Sequence, residues 1–425
     1  MATHEVFNQP PPLADYDVFA ADAALVEALR REGAGWAEDE LGELGRVAGS
    51  PEAIEWGFQA NANPPVLKTH DRYGHRIDSV DYHPAYHSLM QVAVAQGMHA
   101  APWADARAGA HVARAAKFFV WSQVEPGHGC PISMTYAVVP ALRASDAAAA
   151  EWEPRLVSRV YDGRRLPATE KQGALAGMAM TEKQGGSDVR ANTTVAAPAD
   201  SEGAGAFALT GHKWFCSAPM SDVFLMLAQT EVGLSCFAVP RWRPDGTKNA
   251  VAVQRLKDKL GNRSNASSEI ELDGAYGVLV GEEGRGVRTI IAMVNHTRLD
   301  CVIGASATMR QAFVQAAHHA AHRSAFGKLL VDQPLMGNVL ADLAVESEAA
   351  TTVMMRLARA YDSADEAEGQ FRRLATAVAK YWVCKRQPAF VAEALECLGG
   401  NGYTEEWPLA RVYREQPLLS IWEGS

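Results

Sequence analysis

Three patterns of apolar and polar positions follow one another along the chain. In 22–30, 86–95 and 108–124 apolar residues recur every three or four positions, the spacing of an amphipathic helix. Most runs from 20 to 159 read this way. Near Gly177 the pattern changes. Residues 207–211, 223–228, 235–240 and 269–272 are short, rich in β-branched and aromatic side chains, and separated by turn clusters such as Pro244-Asp245-Gly246. No helical runs alternate with them, so a parallel sheet with crossover helices is not expected. From about Val287 the helical spacing returns in alanine-rich runs at 298–323, 338–362 and 371–398. Ser363-Ala364-Asp365-Glu366-Ala367-Glu368-Gly369 reads as a loop between two of them. Gly399-Gly400-Asn401-Gly402 is a helix stop. No internal repeat is visible.

This order predicts an α+β chain of several domains: a helical N-terminal domain with an extended arm (1–177), a central antiparallel β domain (178–285) and a C-terminal helical bundle (286–425). Pro10-Pro11-Pro12 forces the arm to be extended. It is either a free tail or an arm docked on its own or a neighbouring subunit. A chain of 425 residues with 48% hydrophobic composition is long enough for more than one core.

Charge and cysteine content narrow the function classes. The formal charge of −10 does not suit a phosphate-backbone partner. From 298 onward 13 Lys and Arg stand against 15 Asp and Glu, so the last helices offer no basic surplus. The six cysteines show no C-x-x-C spacing and are expected as reduced thiols in a cytoplasmic protein. No apolar run approaches a membrane span, and the N-terminus lacks a signal-peptide pattern. His318, His319 and His322 share a helix face, but no carboxylate or cysteine joins them, so no metal is expected.

The segment Met180-Thr181-Glu182-Lys183-Gln184-Gly185-Gly186-Ser187-Asp188 places two hydroxyls around a flexible Gly-Gly. Such a turn can present backbone N–H groups and hydroxyls to a polar ligand. Downstream, Gly211-His212-Lys213-Trp214-Phe215-Cys216 sets an indole beside a turn signal. Taken alone, each is an ordinary turn or core element.

Together these segments resemble the flavin cradle of the acyl-CoA dehydrogenase family. So do 257–264 with 279–286, Arg323-Ser324-Ala325-Phe326-Gly327-Lys328, Leu398-Gly399-Gly400-Asn401-Gly402-Tyr403 and Ile421-Trp422-Glu423-Gly424-Ser425, all in the family's order. The family's fold is a helical domain, a β-barrel-like domain and a four-helix bundle. Within it, Asn8-Gln9-Pro10-Pro11-Pro12-Leu13, Gly127-His128-Gly129-Cys130-Pro131 and the lysine at 183 resemble the AidB branch of alkylation-response flavoproteins. Most of the family has proline where Lys183 stands.

The resemblance implies FAD as cofactor, an acyl-CoA substrate and a homotetramer. It makes Glu423 the base that takes the α-proton while flavin N5 receives the β-hydride. The isovaleryl branch places its base before the substrate-helix arginine; here Thr297 precedes Arg298, so that alternative is absent. From the β section Met180, Thr181, Gly186, Ser187, Trp214, Phe215 and Cys216 are expected at the flavin, with Cys216 standing where Thr or Ser is usual. Arg323, Phe326, Glu396, Gly399 and Gly400 are expected at the cofactor of a neighbouring subunit. Glu396 replaces the usual glutamine, which is awkward beside a phosphate. Trp422 and Ser425, on either side of the Glu423-Gly424 pair, are also expected at the cofactor. Arg298 and Ser187 are expected to face the substrate; without the family, Arg298 would equally pair with Asp300. No strand followed by G-x-G-x-x-G and a helix is present, so a nicotinamide site is not expected. The alternative function is a DNA-binding alkylation-response flavoprotein with vestigial dehydrogenase activity; that branch's DNA-binding part lies in a basic extension beyond the family core. Family members also continue with a further helix after this point, so the bundle is expected to be incomplete at its end.

Overall fold

A computed structural model describes residues 3–199, 203 and 205–424. Ser425 lies outside them. The chain divides into two compact units, one formed by Met1–Glu55, Arg107–Pro126 and Arg298–Ser425, the other by Trp56–Ala106 and Gly127–Thr297.

The helices are α1 (Ala23–Arg31), α2 (Glu38–Ala48), α3 (Pro51–Ala62), α4 (Pro84–Ala95), α5 (Ala101–Ala104), α6 (Ala110–Ser122), α7 (Gly129–Leu142), α8 (Asp146–Leu156), α9 (Gly286–His322), α10 (Pro334–Asp362), α11 (Glu366–Glu396) and α12 (Pro408–Ile421). In the first unit α6 packs on α2 and α10, α10 on α11, and α11 on α12. Every residue of α6 is buried, including Arg114. Arg114 meets its charge partner in Asp300 of α9, whose carboxylate it grips with both guanidinium nitrogens. Asp300 is therefore not the partner of Arg298.

The acidic run at 363–369 is not a loop throughout. Only Ser363 to Asp365 are outside helix; Asp365 accepts from the N–H groups of Ala367 and Glu368 and starts α11. Acidic residues in a first turn favour the positive helix end, so the composition marked a cap. The arm is docked on its own chain. Asn8 Nδ2 donates to the Ser324 carbonyl (2.9 Å), Ser324 N–H donates to Asn8 Oδ1 (2.8 Å), and His318 Nε2 donates to the Pro11 carbonyl (2.8 Å).

The second unit holds β1 (Val66–His70), β2 (Arg76–Asp81), β3 (Ala176–Ala179), β4 (Val195–Pro198), β5 (Ala206–Ser217), β6 (Val223–Gln229), β7 (Leu234–Pro240), β8 (Val251–Leu256) and β9 (Ser267–Leu279). Two-residue strands β10 (Ser324–Ala325) and β11 (Lys328–Leu329) form a small hairpin in the first unit. The β1–β2 hairpin falls in a stretch read as helical. Along β1 exposed and half-buried residues alternate, and Gly74 turns the chain at φ 89°.

Strands β4, β5, β9, β7 and β6 pair in sequence, and β6 pairs back to β4, closing a ring. Closure removes the open edges that an isolated sheet would present. The expected antiparallel section is mixed: β3 and β4 both run parallel to β6. Phe207, Leu209, Phe224, Met226, Phe237, Val239 and Ile270 fill the interior. On the outside, α7 packs against β3, where Ala176 N–H donates to Thr135 Oγ1.

Candidate functional site

The Gly-Gly segment follows β3 and is tied down at several points. Thr181 C=O accepts from Trp214 N–H at 2.8 Å, Lys183 N–H donates to His212 Nε2 at 3.0 Å, and the Met180 carbonyl accepts from Asn192 Nδ2 at 2.9 Å. Glu182 and Gly185 bond each other across the turn. A Cβ on Gly186 would stand 2.4 Å from Thr181 Oγ1, so only glycine fits against that hydroxyl. The two hydroxyls remain reachable: Thr181 is half-buried and Ser187 exposed.

Gly211 is not a turn. It lies inside β5, and a Cβ there would come within 2.6 Å of Thr194 Oγ1. Trp214, Phe215 and Cys216 are therefore strand residues. Lys257 Nζ sits 3.1 Å from the centroid of the Trp214 ring, a cation–π contact. Phe215 is 50% exposed. Cys216 belongs to the barrel core, and burial pushes its thiol up to about 12.

Sequence reasoning overlooked what fixes the cradle. Glu182 and Lys213 are fully buried neighbours of Thr181 and Trp214, and Lys213 Nζ donates to Glu182 Oε1 at 2.7 Å. Thr194 Oγ1 (2.6 Å), the backbone of Thr193 (2.7 Å) and Gln184 Nε2 (2.8 Å) also donate to the carboxylate. Burial by itself would raise the Glu182 pKa; the bonds from Lys213, Thr194 and Thr193 outweigh it and hold the group well below the usual carboxylate range. The available signal was a pair of opposite charges, each next to a residue singled out for another reason.

In the first unit α12 ends at Ile421 and the chain turns. Glu423 has φ 61° and Gly424 φ 78°. A left-handed glutamate is unfavourable by about 1–3 kcal/mol unless its surroundings hold it. Two cations do so. Arg298 Nε donates to the Glu423 carbonyl at 2.9 Å, and buried Lys380 donates to the Trp422 carbonyl at 2.8 Å and to that of Gly424. Arg298, expected at the substrate, thus reaches the turn's backbone. Lys380 was missed because one lysine on a long helix reads as a solvated charge. Glu423 is half-buried, with Oε2 shielded from solvent. Its carboxylate lies close enough to Cys301 that, after burial and Cys384, it helps raise that thiol.

Arg323 NH1 donates to the Asn8 carbonyl at 2.6 Å, so the arm steadies the loop carrying it. Phe326, at φ 53°, is 98% exposed. Gly399 has φ 59°, and added Cβ atoms at Gly399 and Gly400 would meet open space. Gly402 is the glycine that close packing requires, since a Cβ there would lie 2.2 Å from the Leu395 carbonyl. Glu396 is exposed, and Trp422 is half-buried with its indole nitrogen shielded from solvent. All six cysteines are free and buried, and no helix among the described residues is long and apolar enough to cross a membrane.

These residues suit a flavin dinucleotide: accessible hydroxyls and an indole on one cradle, an arginine loop, and glycines with space in front of them. Residues 8–163 match the family model described as adaptive response protein AidB N-terminal domain. Residues 177–275 match acyl-CoA dehydrogenase, middle domain, and 284–425 match acyl-CoA dehydrogenase, C-terminal domain. The putative acyl-CoA dehydrogenase AidB of Escherichia coli K12 is 51% identical over 426 residues, covering 100% of this chain and 78% of that protein. Acyl-CoA dehydrogenase family member 11 of Caenorhabditis elegans is 30% identical over 88% of this chain and 62% of its own length. The crystal structure of C. elegans ACDH-11 in complex with C11-CoA superposes with a TM-score of 0.91 at 29% identity, over 100% of this chain and 74% of that one. With the helical, β and helical sections in the same order, the chain belongs to the acyl-CoA dehydrogenase family, in its AidB branch.

Proposed function

We propose that this chain is an FAD-dependent oxidoreductase of the acyl-CoA dehydrogenase type, with Glu423 as the base that removes the α-proton of an acyl thioester. The observation that carries this reading is the Glu423 turn. Arg298 and Lys380 spend hydrogen bonds on its backbone carbonyls and hold a glutamate at φ 61°, one of whose carboxylate oxygens is shielded from solvent. Strain maintained by two cations is expected where a side chain must be aimed. A partly desolvated carboxylate is also the type of group that serves as a base near neutral pH.

Bound FAD would supply the hydride acceptor, a role no side chain can fill. Thr181 and Ser187 would donate to its ring edge and phosphates, with Met180 and Gly186 shaping the turn beneath. Trp214 and Phe215 would pack beside the ring, and Cys216, whose side chain lies in the barrel core, would contribute through its backbone. Arg323 would hold the pyrophosphate of a neighbouring subunit, with Phe326, Gly399 and Gly400 around it, in a homotetramer. Exposed Glu396 has room to turn away from that phosphate. Ser187 is also available to the substrate, whereas Arg298 would act through the Glu423 backbone. Acyl-CoA is the substrate class, and the C. elegans relative solved with C11-CoA supports an aliphatic chain.

Anaerobic titration with acyl-CoAs of graded length tests the reading: the flavin absorbance bleaches if it holds and stays unchanged if it does not. The DNA-binding alternative gains little from the C-terminal helices. Their arginines at 310, 356, 359, 386 and 414 already face carboxylates.

A further inference from the structure

The strand ring has a mouth at which, of the residues proposed for the flavin, only Cys216 lies. Beneath the β1–β2 hairpin a cavity of about 330 Å³ opens toward the barrel core. Phe224, Val253 and Ile270, all core residues, give it an apolar floor. Its walls carry four cations, Arg76, Arg165, Arg241 and Lys248, against one carboxylate, Asp78.

Three of these cations have acidic partners. Arg76 Nε lies 3.0 Å from Asp78, Lys248 reaches the same carboxylate, and Arg165 NH2 lies 2.7 Å from Asp81. Arg241 differs. Its NH1 donates to the Met220 carbonyl at 2.8 Å, and among the described residues no carboxylate oxygen comes within ion-pair distance. Burial presses its pKa down; Asp222 pushes it up, and neighbouring Arg165 presses it down again. A guanidinium nevertheless keeps its proton, so Arg241 brings to the site a cation that Asp222 and Asp78 offset without a direct ion pair.

We propose that the mouth of the barrel binds a small amphiphilic anion, an aliphatic carboxylate whose oxygens meet Arg241 and Arg165 while its tail lies on Phe224, Val253 and Ile270. A guanidinium offers a carboxylate two parallel donors. Barrel mouths with apolar walls and a few convergent polar groups are a common form of ligand site, and the volume suits a chain of octanoate's size. The cations alone would accept any anion; the apolar floor selects one with a hydrocarbon body.

Calorimetric titration of the flavin-loaded protein with octanoate, acetate and inorganic phosphate tests this. Octanoate is expected to bind, with acetate and phosphate about tenfold weaker or worse. Arg241→Met is expected to weaken octanoate at least about tenfold, as loss of a charged hydrogen bond implies. Arg241→Lys should fall between. Arg165→Gln, at a half-exposed position, should weaken it severalfold and serves if the Arg241 variants do not fold. The proposal is overturned if octanoate fails to bind, binds the folded charge variants undiminished, or is displaced by acyl-CoA. It is equally overturned if phosphate binds as tightly as octanoate. Flavin bleaching by acyl-CoA is read separately, so the fate of the dehydrogenase reading is scored apart.

Discussion

A lysine holds a turn in each of the two compact units, and the two do it differently. Lys213 meets a carboxylate: Glu182 and Lys213 cancel each other's charge in a fully buried place, and five further donors from Gln184, Thr193 and Thr194 complete the acceptor shell. Lys380 meets carbonyls: it donates to those of Trp422 and Gly424, on either side of Glu423. The first arrangement fixes the Gly-Gly loop, proposed to face the flavin, by neutralising charge within it. The second fixes the backbone of the turn that carries Glu423, the proposed base. Breaking the first should chiefly cost stability, and breaking the second should chiefly cost turnover.

Lys213→Met tests the stability side and carries the largest expected effect on folding. It leaves a buried carboxylate uncompensated, a loss of about 3–5 kcal/mol. Adding Glu182→Gln should restore much of it, as chemical denaturation of the single and double variants would reveal. A single variant as stable as the parent would remove the lock from the account.

Glu423→Gln tests the chemistry side. It should lower turnover of an acyl-CoA by about a hundred- to ten-thousand-fold while flavin content stays unchanged. Lys380→Met should give a smaller fall, since it loosens the turn that would aim the proposed base; about 1.5–3 kcal/mol is typical for hydrogen bonds to a charged group. Lys380→Arg should recover part. If the fall in Lys380→Met appeared in KM with kcat untouched, the positioning role would fail.

pH separates the two turns further. The Glu182 pKa is depressed in the folded state, so the unfolded chain takes up its proton first as pH falls. The pair's contribution is fully present above the ordinary 4.5 of a glutamate and is lost as pH drops toward the folded value. The Lys213→Met, Glu182→Gln double variant should therefore lose less stability than the parent between neutral pH and the acid range. An identical acid dependence would count against the lock.

Asn8→Ala has the smallest expected effect. It removes the side-chain bonds to Ser324 beside Arg323, each worth about 0.5–1.5 kcal/mol. FAD affinity should weaken severalfold with the melting temperature nearly unchanged. Unaltered affinity would mean the arm does not steady the Arg323 loop.

Several elements were legible because their signals are local. The helix stop at 399–402 needs only glycine, and the long C-terminal helices need only periodic apolar residues and alanine. The β1–β2 hairpin was not legible because its strands are half-solvated and weakly apolar. The turn assigned to Gly211 failed for another reason: this glycine serves close packing against Thr194 inside a strand, which composition cannot distinguish from a bend. Parallel pairing of β3 with β6 joins segments far apart in the chain, and no local pattern encodes it.

By itself the sequence determined the order of helical, β and helical sections and the motifs that mark the family, because periodicity and short motifs are written in neighbouring residues. Tertiary structure alone decided which charges have work to do. Glu182 and Lys213 are separated by 31 positions, and Lys380 and Trp422 by 42. A charged side chain becomes a lock, a clamp or a cation without an ion-pair partner only through the burial and the partners that folding brings to it.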